Sequence, residues 1–277
     1  MILAENRMKI LATDLDRTLL PNGHWKGDDN AIPLFNDLTE KHGVLVVYVT
    51  GRNLDLAEGA IKEYGVRYPD VLCSDVGTCI RKYENGEWKF DEGWITHVRK
   101  ASPKWDATAI KDTVAGIDGL AEQAPEHQNQ FKQSYDVDIA KKDEVLEKVD
   151  DRVKGKFDEV IVYSFDSLEN KGLIDFLPAS ATKQTSLEYV AEKYKTEKGK
   201  VVFCGDSGND IFPLTAGFSG VLVRNADDQL VNDVKKAMEK NPDIKAYFAK
   251  GDFMGLTGYY TSGVIEGAYH YGLFPQE

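Results

Sequence analysis

The chain has 277 residues, 42% of them hydrophobic and 29% charged, which suits a globular protein of about two domains. Lys and Arg number 34 against 46 Asp and Glu, a formal net charge of −12 that argues against a nucleic-acid-binding face or attraction to an anionic membrane. No apolar run approaches the ~18 residues a membrane helix needs, and Glu5, Arg7, Lys9, Asp14 and Asp16 leave no room for the apolar core of a secretory signal.

The first strong element is the run Met8 to Thr13, which reads as a buried strand. It opens onto Asp14-Leu15-Asp16 and a turn at Pro21-Asn22-Gly23. Residues 29–42 carry Ile32, Leu34, Phe35 and Leu38 at helical spacing, with Pro33 tolerated in the first turn and Gly43 as the stop. Val44 to Val49 is a second buried strand, ending at Thr50-Gly51-Arg52. A helix from Leu54 to Tyr64 and a short strand from Asp70 to Cys73 follow. Continuous rather than alternating apolar strands, separated by helices, indicate a parallel sheet covered on both faces. The same grammar returns late: helix Lys183–Tyr194, strand Lys200–Cys204, short helix Asp210–Ala216, strand Gly220–Val223.

The middle differs. Residues 106–121 read as a helix, Phe131 to Ile139 as a half-exposed strand, and Lys142–Val153 as a helix. Glu159–Phe165 and Gly172–Leu177 read as two strands with a turn over Glu169–Gly172. The expected fold class is α/β: a doubly wound, Rossmann-like parallel-sheet core formed by residues 1–93 and 179–277, with an α+β module inserted at 94–178.

In a parallel α/β sheet ligands bind beyond the carboxyl ends of the strands. Four polar clusters fall at such ends: Asp14-Leu15-Asp16, Thr50-Gly51-Arg52, a lysine near Lys183, and Gly205-Asp206-Ser207-Gly208-Asn209-Asp210. Asp14 and Asp16 are two apart on an extended chain and point the same way. Converging carboxylates repel one another, and a hard divalent cation is the natural remedy, with all-oxygen ligands favouring Mg²⁺. The expected ligands are Asp14, Asp206 and the backbone carbonyl of Asp16, with Asp210 a ligand or the support of one. A carboxylate beside such an ion can attack a phosphoryl group, and a second can protonate the leaving oxygen. The Thr50 hydroxyl, the amides of the glycine turn and a lysine, Lys183 or Lys171, can hold phosphoryl oxygens. The three cysteines, Cys73, Cys79 and Cys204, are odd in number and lack metal-ligand spacing, so they read as reduced thiols of a cytoplasmic protein. Five histidines without a His-x-x-x-His pattern argue against zinc.

Asp14-Leu15-Asp16-Arg17-Thr18-Leu19 resembles the Asp-x-Asp-x-Thr signature of the haloacid-dehalogenase superfamily phosphatases. Val49-Thr50-Gly51-Arg52 resembles their second motif and Gly205 to Asp210 their fourth. Lys183, in Ala181-Thr182-Lys183-Gln184, matches the third-motif lysine, with Gln184 where a glycine is common. Within the superfamily the chain is most similar to the sucrose-phosphate phosphatase branch. That similarity rests on Thr-Gly-Arg, the Gly205–Asp210 run, Ser74-Asp75-Val76-Gly77 and the terminal Thr261 to Gly267. The resemblance implies a Mg²⁺-dependent phosphatase with Asp14 as nucleophile, Asp16 as general acid/base, and residues 94–178 as a substrate-selecting cap. It favours Lys183 over Lys171. Arg52 either anchors its loop or contacts substrate; Asn209 either orients Asp206 or touches substrate.

The implied substrate is a phosphorylated sugar, sucrose 6-phosphate first, with a mannosylfructose or glucosylglycerate phosphate as alternatives. No nucleic-acid or membrane partner is expected, and a monomer suffices. In the cap, Lys132, Gln133, Ser134 and Tyr135 are the candidates for sugar contacts, Lys132, Ser134 and Tyr135 foremost; the competing reading is a strand whose polar residues face water. Alternation sends Lys132 and Ser134 to one face and Gln133 and Tyr135 to the other. A phosphoaspartate signalling receiver also gathers aspartates, a hydroxyl and a lysine around Mg²⁺. The inserted module and the Asp14-x-Asp16 pair argue against it.

Overall fold

The computed structural model describes residues 8–166 and 170–275. Glu5 and Arg7, used above in reading the N-terminus, and Glu169 of the expected turn lie outside them. The chain opens with β1 (Ile10–Thr13), α1 (Ala31–Lys41), β2 (Leu45–Val49), α2 (Leu54–Tyr64), β3 (Val71–Ser74), β4 (Cys79–Glu84), β5 (Glu87–Phe90) and α3 (Glu92–Ala101). A second module follows: α4 (Ala107–Val114), β6 (Leu120–Glu122), β7 (Gln133–Val137), α5 (Lys142–Val153), β8 (Glu159–Asp166) and β9 (Lys171–Pro178). The chain returns with α6 (Lys183–Lys193), β10 (Val201–Gly205), α7 (Ile211–Thr215), β11 (Ser219–Leu222), α8 (Asp228–Lys240), β12 (Lys245–Phe248) and α9 (Thr261–His270).

The larger sheet runs β12-β11-β10-β1-β2-β3-β4-β5. Its pairs are parallel from β12 to β3 and antiparallel from β3 to β5. Strand alternation divides its apolar residues between two layers. Leu11, Val46, Tyr48 and Val202 face α1, α2 and α9. Ile10, Ala12, Val47, Val49 and Phe203 face α3, α6 and α8. Both faces are covered, which is why these strands read as continuous apolar runs. Trp94 and Val98 of α3 and Phe131, all within the expected insert, bury in the second of these layers.

The smaller sheet is antiparallel, ordered β6-β7-β9-β8. One face packs against α4 and α5 through Tyr135, Val137, Ile174 and Phe176. The other looks down on the carboxyl ends of the large sheet.

Three local readings need correction. The helix expected over 106–121 ends at Val114, because Gly116 and Gly119 adopt φ of 71° and 88°, and Leu120–Glu122 becomes an edge strand. The β4–β5 hairpin is absent from the sequence reading. Its signal is Asn85-Gly86, both at positive φ (56° and 82°), the dipeptide that suits a two-residue hairpin turn. The strand expected over Phe131–Ile139 shortens to β7, flanked by a 3₁₀ turn at Ile139–Lys141. No described helix is long and apolar enough to cross a membrane.

Candidate active site

Adjacent, in-register parallel strands deliver the motifs side by side. β1 pairs with β2 and with β10, so the residues after Thr13, Val49 and Gly205 emerge together. Asp14 and Thr50 continue their strands, donating backbone hydrogen bonds to the carbonyls of Cys204 and Cys73 at 2.9 Å each. Asp14, Asp206 and Asp210 are buried and each brings a carboxylate oxygen within 4.8 Å of the others.

Lys183, 1% exposed at the start of α6, lies beneath them. Its Nζ is 3.1 Å from Asp14 Oδ1 and donates to Asp210 Oδ1 and Asn209 Oδ1, both at 2.9 Å. Asn209 thus holds the lysine rather than Asp206. Lys171, the alternative lysine, is paired with Asp136 at 3.3 Å on the cap sheet. Asp210, expected as a metal ligand or the support of one, has both oxygens hydrogen-bonded within the protein. Oδ1 takes Lys183, and Oδ2 accepts from the amides of Asp206 (3.0 Å) and Ser207 (3.2 Å). It therefore shapes the turn that presents Asp206. Thr18 Oγ1 donates to Asp206 Oδ1 at 2.8 Å. Among the described residues the buried Asp206 Oδ2 receives no directed hydrogen bond, although Arg17 Nε lies 3.2 Å away.

Burial above all raises the Asp14 carboxyl, Asp210 and Asp16 adding to it and Lys183 opposing it, to about 7 in all. Burial likewise raises Asp206 well above the usual carboxylate range, against the pull of Arg17. Burial opposes the charge of Lys183 as well, but Asp14 and Asp210 outweigh it and the ammonium is held more firmly than usual. The Asp206 oxygen that takes no directed hydrogen bond, beside the buried carboxyl of Asp14, with all ligand atoms oxygen, fits a hard divalent cation.

Asp16 faces the other way. Arg52 grips it with Nη2 to Oδ1 (2.6 Å) and Nε to Oδ2 (2.8 Å), and Asn22 Nδ2 donates to Oδ1 (2.6 Å). Burial works against ionisation here, but the Arg52 and Asn22 hydrogen bonds outweigh it and hold the carboxyl below its usual range. As a metal ligand Asp16 could serve only through its backbone carbonyl while this clamp persists. Thr50 is fully buried, its Oγ1 accepting from the Arg52 amide at 3.2 Å, and Gly51 lines the cleft.

The cleft between the sheets has a volume of about 560 Å³, within the range of small-molecule sites. Asp14, Asp16, Asn22, Arg52, Ser207 and Asn209 line its floor; Lys132, Asp136, Lys171 and Asp175 line its roof. Ser134 stands opposite Asp175 in the β7–β9 register and hydrogen-bonds its carboxylate. Tyr135 was expected among the sugar contacts, but the strand's alternation turns it to the other face. There it packs edge-on against Phe176, 5.6 Å between ring centroids, among the residues facing α4 and α5. The sequence reading missed Asp136 and Asp175. Both were accessible to it: Asp136 continues the Lys132, Ser134 alternation, and Asp175 lies on the neighbouring strand. Lys132 is 4% exposed, its Nζ 4.0 Å from the buried Asp75.

A sequence profile of the sucrose-6F-phosphate phosphohydrolase family matches residues 7–272. "Probable sucrose-phosphatase 2" of Arabidopsis thaliana is 32% identical over 96% of this chain, which spans 60% of that protein's length. The mannosylfructose-phosphate phosphatase of Agrobacterium fabrum is 27% identical over 97% of this chain and 99% of its own. Among solved structures, the sucrose-phosphatase of Synechocystis sp. PCC6803, in complex with sucrose and phosphate, superposes with a TM-score of 0.76 and 25% identity. That match covers 96% of this chain and 98% of the other.

Proposed function

The chain belongs to the sucrose-6F-phosphate phosphohydrolase family, and from that premise we propose that it is a Mg²⁺-dependent phosphatase of a sugar phosphate, sucrose 6-phosphate foremost, working through a phosphoryl group carried on Asp14. The observation that carries the reading is the Asp14–Lys183–Asp206 cluster on the floor of a cleft whose roof is the polar face of the cap sheet. Asp14 and Asp206 would hold the metal with the Asp16 carbonyl, and a bound Mg²⁺ supplies charge neutralisation for the phosphoryl oxygens. Lys183 favours the ionised form of Asp14 and holds it in place. The Thr50 hydroxyl and the Gly51 amide are suited to phosphoryl oxygens. Asp14 forms the new bond to phosphorus as the ester bond breaks. The leaving oxygen takes a proton from Asp16, which later removes one from the water that frees Asp14. The clamp on Asp16 must loosen for this, and Arg52 is then available to the incoming ligand. The three buried, unbridged cysteines support a reducing, cytoplasmic setting.

In the roof, Lys132, Asp136, Lys171 and Asp175 offer donors and acceptors for sugar hydroxyls, which a site so built selects sharply. The end-to-end match to the Agrobacterium enzyme favours mannosylfructose phosphate as the second reading. Phosphate release should be measured with Mg²⁺ and with EDTA over sucrose 6-phosphate, mannosylfructose phosphate, glucosylglycerate phosphate, polyol phosphates and 4-nitrophenyl phosphate. A disaccharide phosphate is expected to have the highest kcat/KM, and EDTA to silence the enzyme. A panel on which no sugar phosphate exceeds the aryl ester would refute the reading.

A further inference from the structure

We propose that Asn22 is a positioning residue for proton transfer: it fixes the carboxylate of Asp16 from a loop that the C-terminal segment braces, presenting Oδ2 to the reacting ester. The inference rests on the acid/base role of Asp16 proposed above and extends it to residues that role does not include.

Asn22 sits in the Pro21-Asn22-Gly23 turn, and its orientation is dictated at both ends. Its Oδ1 accepts from the Arg17 amide at 2.7 Å, which only the oxygen can do, so Nδ2 must be the end that faces Asp16 Oδ1, at 2.6 Å. Asp16 Oδ1 also accepts from Arg52 Nη2, and with two donors its acceptor sites are filled. Among the described residues Oδ2 has the single partner Arg52 Nε. When the guanidinium turns to substrate, Asn22 still holds Oδ1, and Oδ2 is the oxygen left to exchange a proton with the leaving group. With the guanidinium withdrawn Oδ2 takes up a proton from solvent; Asp14 then forms its bond to phosphorus as the ester O–P bond breaks, that bond's electron pair passes to the leaving oxygen, and this oxygen takes the proton from Oδ2.

A turn in a stretch without helix or strand could not hold such a geometry alone. Here the segment before and at the start of α9 fastens it. Tyr260 Oη accepts from the Trp25 amide at 2.9 Å. Asp28 Oδ2 accepts from the Thr257 amide (2.9 Å), Thr257 Oγ1 (2.7 Å) and Ser262 Oγ (2.5 Å). Asn225 ties the same region to the motif: it donates to the Arg17 carbonyl at 2.6 Å and accepts from the Tyr260 amide at 2.9 Å. Tyr260 has φ 52° and ψ −129°, a backbone that side chains other than glycine rarely adopt and that persists only where the surroundings over-determine it. The Thr261-Ser262 pair noted in the sequence thereby acquires a task, since Thr261 Oγ1 also hydrogen-bonds the Leu19 carbonyl.

The test uses the full chain with Mg²⁺ and two aryl esters that differ in leaving group, phenyl phosphate and 4-nitrophenyl phosphate. Asn22→Asp keeps the acceptor for the Arg17 amide and loses the donor to Asp16. It should lower kcat for phenyl phosphate by about 10- to 100-fold, as befits a hydrogen bond to a charged group. Turnover of the nitrophenyl ester, which needs little protonation, should fall much less, with KM nearly unchanged. Tyr260→Phe, which removes only the hydroxyl that takes the Trp25 amide, should give the same split at smaller amplitude and stands in should Asn22→Asp fail to fold. Equal losses on both esters, or none, would overturn the proposal. Because neither arm contains a sugar, a parent enzyme that cleaves both esters but no sugar phosphate sinks the substrate reading and leaves this comparison valid. A parent that cleaves neither ester nor any sugar phosphate sinks both.

Discussion

Replacing Lys183 by methionine keeps the side-chain length and removes the charge. In the structure that ammonium is 1% exposed and touches Asp14, Asp210 and Asn209 at 3.1, 2.9 and 2.9 Å. Removing it leaves two buried carboxylates with their mutual repulsion and without their cation. Breaking a buried ion pair from one side costs about 3–5 kcal/mol. At roughly 2–4 °C per kcal/mol for a chain of this order of size, the midpoint measured in EDTA should fall by roughly 6–20 °C. The variant's extra negative charge should be met by Mg²⁺, so added Mg²⁺ should raise its midpoint more than the parent's. Turnover should fall on the order of 10²- to 10³-fold, the scale of a lost preorganised electrostatic contact. Circular dichroism melts of parent and Lys183→Met, each with EDTA and with Mg²⁺, check this. A drop of less than about 2 °C, below the span expected for a buried pair, would refute the reasoning. So would a Mg²⁺ response no larger than the parent's.

Asp14→Asn should abolish turnover while the chain stays folded; a folded variant that retains most activity would remove Asp14 as the phosphoryl carrier. In EDTA the folded protein holds a proton on Asp14 up to about pH 7 where a free carboxyl loses it near 3.8. Its contribution to stability is therefore full below 3.8 and lost as pH rises through about 7, Asp206 acting in the same direction. Urea midpoints from about pH 4 to about pH 8 should fall more steeply for the parent than for Asp14→Asn, and Mg²⁺ should flatten the difference; a parallel pair of curves in EDTA contradicts the linkage. In the cap, Asp175→Ala and Asp136→Ala should lower kcat/KM for the preferred sugar phosphate by about 10-fold or more and spare 4-nitrophenyl phosphate. Tyr135→Phe, which deletes a buried hydroxyl without a partner among the described residues, should alter neither; sugar selectivity that follows Tyr135 instead would reverse the assignment of the two faces.

The sequence by itself determined the parts of this protein that depend on neighbours along the chain. Apolar runs of four to six residues separated by amphipathic helices specify a parallel sheet covered on both sides, and the polar residue that follows each run must lie at a strand end. Asp14, Thr50 and Asp206 were therefore legible as one site before their strands were seen to be adjacent. The hairpin over 79–90 was legible too, through Asn85-Gly86, but alternation in Arg81-Lys82-Tyr83-Glu84 is too weak to draw attention to it. Only the tertiary structure decided which face of each element is wet. Periodicity separates Lys132 and Ser134 from Gln133 and Tyr135, yet it carries no sign. The sign comes from α4 and α5 covering one side of the cap sheet, a packing choice between distant segments. The same holds for Asp210, whose carboxylate is spent on Lys183 and two backbone amides, and for Asp16, gripped by Arg52 from another strand end. It holds again for Asn22, an ordinary turn residue until Asp28 and Trp25 are tied to residues more than two hundred positions away. Hydrogen bonds of that reach are satisfied only when the whole chain has collapsed, and no local pattern encodes them.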